Sequence, residues 1–64
     1  MLRDYDIFEV LPDGSKIWRV NAYGVENALI ALTNVASKTK NECYAINIRS
    51  KDIIGRLNEQ KPPT

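Results

Sequence analysis

One amphipathic helix lies between segments that read as strands, and this order constrains the fold more than any other feature. Val25, Ala28, Leu29, Leu32, Val35 and Ala36 recur at three- and four-residue spacing. At about 100° per residue they form one continuous apolar stripe, which predicts a helix from about Val25 to Thr39. Gly24 suits the N-cap, Glu26 the positive end of the helix dipole, and Lys38 and Lys40 the negative end. Asn41 is read as a left-handed stop.

Before the helix, the chain reads as a hairpin. Asp4 to Leu11 favours strand, and Lys16 to Ala22 favours strand again. Between them stands Pro12-Asp13-Gly14, in which proline and aspartate suit a type I turn and glycine supplies the left-handed residue after it. This favours a three-residue loop with Leu11 opposite Ser15 and Phe8 opposite Trp18. One face would then carry Phe8, Val10, Trp18, Val20 and Ala22, and the other Tyr5, Ile7, Leu11, Ile17 and Arg19. A two-residue loop at Asp13-Gly14 would instead group Ile7 with Trp18 and Val20.

After the helix, Cys43 to Arg49 alternates as a half-buried strand, with Tyr44, Ile46 and Ile48 on one side. Ile53 to Leu57 is preferred as a fourth strand because Ile53 and Ile54 are β-branched, although Gly55 weakens it. The expected fold is α+β, a small ββαβ(β) domain: an antiparallel sheet of three or four strands with one helix on one face. Residues 1–57 form the single domain, and 58–64, polar and rich in proline, form a flexible tail. The expected core is Phe8, Val10, Trp18, Val20, Val25, Leu29, Leu32, Val35, Ala36, Tyr44, Ile46 and Ile48, with Trp18 packed under Leu29 or Leu32.

The 64 residues limit the chemistry. A domain this small buries only about 60% of its unfolded surface, so disulfides, metals or oligomerisation often assist it. Cys43 is the one cysteine and there is no histidine, so neither an intramolecular disulfide nor a Cys/His zinc site can form. Cys43 is read as a small apolar strand residue. No phosphate loop, dinucleotide fingerprint or nucleophile elbow occurs. The carboxylates are Asp4, Asp6, Glu9, Asp13, Glu26, Glu42, Asp52 and Glu59. Asp4 and Asp6 share one strand face, where a solvated strand end is the simplest reading. No enzyme activity, cofactor or small-molecule substrate is expected. Nine basic residues stand against eight acidic, a net charge of +1, unlike the strongly basic balance of most nucleic-acid binders. No apolar run reaches the roughly 20 residues that cross a bilayer, and acids stand near the start where a secretion signal carries positive charge. A soluble cytoplasmic protein is expected.

The expected interaction surface is the sheet face away from the helix: Tyr5, Ile7, Leu11, Ile17 and Arg19, joined by Arg49. Its apolar character favours a protein partner or a homodimer. The alternative is single-stranded RNA or DNA bound through Tyr5, Arg19 and Arg49.

Ile17-Trp18-Arg19-Val20, Tyr23-Gly24-Val25-Glu26-Asn27-Ala28 and the stripe that follows resemble a group of short bacterial proteins. That group shares a strand tryptophan, a Gly-(Leu/Val)-Glu-x-Ala helix start and a trailing strand with an aromatic residue. The resemblance covers about Tyr5 to Asn58 and implies a fold rather than an activity. A weaker similarity is to HicB-like antitoxin domains, in which a strand hairpin precedes a helix opening with Glu-x-Ala and a strand follows. That similarity implies a small toxin-binding regulatory module. The Pro-x-x-x-Gly-Cys-like approach to the helix of such chains does not occur here.

Overall fold

A computed structural model describes residues 4–60. Its elements, in chain order, are β1 (Tyr5–Val10), β2 (Lys16–Ala22), α1 (Val25–Ala36), β3 (Cys43–Asn47) and β4 (Ile53–Leu57). The four strands form one antiparallel sheet in the order β2-β1-β3-β4, and α1 lies across one face. The expected α+β fold is therefore present, with the fourth strand in place.

The β1–β2 hairpin closes as the turn residues dictate. Leu11 N–H donates to Ser15 C=O at 2.8 Å, and Gly14 N–H donates to Leu11 C=O at 2.8 Å. Gly14 has φ 91°, a value that only glycine adopts cheaply. The Asp13 carboxylate accepts from both the backbone N–H and the hydroxyl of Ser15, which pulls its pKa below the ordinary value. The register is the favoured one near the turn, with Phe8 opposite Trp18 and Val10 opposite Lys16.

Beyond Trp18 the expected face assignment fails, for an identifiable reason. Ile7 pairs with Val20, so Arg19 is an extra residue in β2, a β-bulge. The bulge swaps the sides of the strand. Val20 and Ala22 face α1 with Ile7, while Trp18 stays with Phe8 on the far side. β4 carries a similar irregularity: Ala45 pairs with Gly55 and Ile46 with Ile53, which leaves Ile54 extra and packed against the core.

The helix covers the Tyr5/Ile7/Glu9 side of β1, the opposite of the expected side. Tyr5 and Ile7, read as open surface, are 7% and 0% exposed. Phe8 and Val10, read as core, are half-buried on the far face, and Trp18 is 50% exposed there rather than packed under the helix. Size explains the choice. The inner cluster is Ile7, Leu32, Ala36, Cys43 and Ala45, with Ala28 also fully buried on α1. Small residues on the helix seam and on β3 let the two layers meet closely, and three large rings would hold them apart.

The inner seam of α1 is Ala28, Leu32 and Ala36; Val25 and Leu29, also read as core, lie at its margin and are exposed. The helix ends at Ala36, three residues before the expected end at Thr39. Asn41 is not left-handed; among described non-glycine residues only Lys51 and Asn58 have positive φ. Asn58 does the work expected of Asn41. Its side-chain amide donates to Ala36 C=O at 2.9 Å and Thr39 C=O at 2.9 Å, satisfying carbonyls past the helix end. Gln60 donates to Lys40 C=O at 2.9 Å. The start of the expected tail is thus hydrogen-bonded to the domain, and residues 61–64 lie outside the described residues. No helix among the described residues is long and apolar enough to cross a membrane.

Candidate functional site

Two places concentrate polar or aromatic side chains. The first is a buried carboxylate. Glu9 lies on the inner side of β1, 4% exposed. Its Oε2 accepts from Thr39 Oγ1 and Asn41 Nδ2, both at 2.7 Å, and its Oε1 accepts from the Arg19 guanidinium. The Thr39 and Asn41 hydrogen bonds, helped by Arg19, hold the carboxyl below its ordinary pKa against the opposing effect of burial. Cys43 sits opposite Glu9 on β3. Burial, and then the Glu9 charge, push its thiol pKa up. At neutral pH the carboxylate is therefore ionised and the thiol protonated. This cluster joins the β2 bulge, β1 and the segment after the helix. Among the described residues, no three His, Cys, Asp or Glu side chains group as metal ligands would.

The second place is the sheet face away from α1. Cross-strand pairing aligns Trp18, Phe8, Tyr44 and Arg56 in one row across all four strands. Phe8 and Tyr44 stack with centroids 5.6 Å apart and planes 23° apart. Lys16 Nζ lies 5.9 Å from the Tyr44 ring centroid, a cation over an aromatic face. The row above holds Lys16, Val10 and Glu42, and the row below Asn21, Asp6, Ile46 and Ile53. Trp18 Nε1 donates to Asp6 Oδ1 at 3.1 Å, which fixes the indole on the surface. Arg56 Nη1 lies 3.5 Å from Glu42 Oε2. Nothing among the described residues forms a second layer over this face.

The residues expected to form one interaction surface are dispersed. Tyr5 and Ile7 are beneath the helix, and Leu11 is half-buried beside the hairpin turn. Ile17 is 38% exposed at the edge strand. Arg19 is bound to Glu9, and Arg49 is exposed in the β3–β4 turn, its backbone N–H donating to Asn47 Oδ1. Asp4 and Asp6 do not act as a carboxylate pair: Asp4 accepts from the Gly24 backbone N–H at 3.2 Å and Asp6 from Trp18. Sequence reasoning missed the row Trp18, Phe8, Tyr44 and Arg56. The signal that points to it is the alanine content of the helix seam, which matches the small residues Cys43 and Ala45 and rejects the aromatic side.

No family model, curated protein or solved structure matches the chain.

Proposed function

We propose that the chain is a small non-enzymatic module that docks a protein partner through the sheet face away from α1. The observation that carries this reading is the row Trp18, Phe8, Tyr44 and Arg56, bordered by Val10, Ile46 and Ile53 and, among the described residues, left without a second layer. Half-exposed tryptophan, arginine and aliphatic side chains on a rigid strand platform are the composition of protein contact centres. A cytoplasmic setting suits the single buried thiol, and the resemblance to HicB-like domains points to the same class of role.

Nucleic acid is the other candidate because three aromatics and two cations share the face. The local chemistry favours protein. Tyr44 is 8% exposed beneath its neighbours, so its ring offers no platform to a base. Asp6 and Glu42 share the face and repel phosphate. Tyr5, Arg19 and Arg49, the residues expected to bind a single strand, do not share it.

The test places a photo-crosslinking residue at position Val10 on the face and, separately, at Ile30 on the outer side of α1, in cells that make the protein. Protein adducts specific to position 10, insensitive to salt, are expected. Adducts to nucleic acid alone at position 10, or protein adducts only at position 30, overturn the reading.

A further inference from the structure

We propose that the occupant of this face is a second copy of the chain, docked sheet to sheet about a two-fold axis that runs along the strands. The inference rests on the docking reading above and names its partner.

The middle row reads, from one edge to the other, Trp18, Phe8, Tyr44, Arg56. A two-fold axis along the strands lays this row on its own reverse. Arg56 of each copy then meets Trp18 of the other, while the Phe8–Tyr44 stacks, in which Tyr44 is covered by its own neighbours, lie side by side at the axis. Tryptophan offers a cation the best of the aromatic faces, and arginine is the cation most often found over one. Asp6, already bound to the indole N–H, supplies a carboxylate beside the incoming cation. The Arg56 side chain is 47% exposed, and its contact to Glu42 is a long 3.5 Å, so the cation has room to engage. A two-fold axis across the strands fails the same examination, because it sets Arg56 against Arg56 and Trp18 against Trp18.

The edges of the sheet argue for the face as well. Both outer strands, β2 and β4, are bulged, at Arg19 and Ile54. A bulge bends an edge and discourages strand-to-strand addition. Association by lengthening the sheet is therefore opposed at both ends.

Size sets the strength. Four strands about 4.8 Å apart and five residues at about 3.4 Å each give a footprint of roughly 19 by 17 Å. That is below the standard contact of about 800 Å² per partner, so the dimer is a reversible one that forms with rising concentration.

Sedimentation equilibrium from low micromolar to near millimolar chain, at low and high salt, tests the proposal. A reversible dimer is expected, with Trp18 emission, the only tryptophan signal in the chain, shifting to the blue as it forms. Trp18→Ala and Arg56→Ala should each weaken dimerisation by about tenfold or more, since each removes two symmetry-related cation–aromatic contacts. Arg56→Lys should recover part of the loss, and Ile30→Lys, on the far side of α1, should change nothing. Circular dichroism confirms that each variant is folded. A monomer at every concentration overturns the proposal, as does a dimer indifferent to both alanine variants or one abolished by Ile30→Lys. The two readings fail separately. A monomeric chain that still yields protein adducts at position 10 overturns self-association and leaves docking intact, whereas nucleic-acid adducts alone overturn both.

Discussion

Lys51 carries a left-handed backbone, φ 66°, in the turn between β3 and β4. The turn needs that conformation, because Lys51 N–H donates to Asn47 C=O at 2.9 Å and Asn47 N–H donates to Asp52 C=O at 2.8 Å. A Cβ in this region costs about 1–2 kcal/mol, and glycine removes the cost while gaining freedom in the unfolded chain. Lys51→Gly should therefore stabilise the fold by up to about 1 kcal/mol, read as a rise in the urea midpoint at constant slope. An unchanged or lower midpoint would show that the strain is not released. Residue chemistry of this kind is unevenly legible. Pro12-Asp13-Gly14 announces its turn because each residue has a distinct backbone preference. Lysine has no left-handed preference, so nothing in Ser50-Lys51-Asp52 marks the strained position. Asn41 and Asn58 are equally good candidates for a positive φ by residue type; only the return of the chain after β4 brings Asn58 to the helix end.

The elements themselves follow closely from the local pattern. β2 spans Lys16–Ala22 and β4 spans Ile53–Leu57 as the alternation and β-branched residues predict. Which side of the sheet meets the helix does not follow, because β1 is apolar on both sides, with Tyr5 and Ile7 on one and Phe8 and Val10 on the other. The bulge at Arg19 compounds the ambiguity, since it moves half of β2 to the other face without a glycine to signal it. The candidate site was invisible for the same reason: its row exists only when β1 pairs with both β2 and β3. Gly55 is explained at this scale. A Cβ there would stand 3.2 Å from Leu32 Cδ2 and 3.3 Å from Leu29 Cδ2. Leu32 is 2% exposed, so its side chain has little space to give way. Gly55→Val should destabilise by about 1–3 kcal/mol through overpacking, despite the better strand propensity of valine. Equal or greater stability in urea would mean that α1 is not seated over β4. Asn58 gives a second test of how elements are joined. Asn58→Gly keeps the φ of 57° and removes the amide, costing about 0.5–1.5 kcal/mol per lost hydrogen bond. Asn58→Ala also removes the amide but keeps a Cβ at a left-handed φ that alanine tolerates less well than asparagine, so it should be the less stable of the two. The reverse order would show that the backbone conformation does not matter there.

At the scale of the whole molecule, the Glu9 cluster couples acidity to the integrity of the fold. The carboxylate gathers Arg19 from the β2 bulge and Thr39 and Asn41 from the segment after α1. Its folded pKa is below the ordinary value of 4.5, chiefly through Thr39 and Asn41. A depressed carboxyl contributes stability while it is ionised, so its contribution is fully present above the unfolded value and is lost as pH falls through the folded one. Asp13, lowered by its Ser15 hydrogen bonds, acts with the same sign. The protein should hold its stability from neutrality to about pH 5 and lose it progressively below about 4.5, where the unfolded state binds the extra protons. Glu9→Gln should lower stability at pH 7, because the amide leaves Arg19 without its counter-charge, and should flatten the acid limb. Asp13→Asn should flatten only the smaller remainder, since its hydrogen bonds lie within one exposed turn. Chemical denaturation at a series of pH values measures both slopes. If the acid limb of Glu9→Gln runs parallel to that of the parent chain, the buried carboxylate is not what ties the bulged strand and the helix end to the sheet.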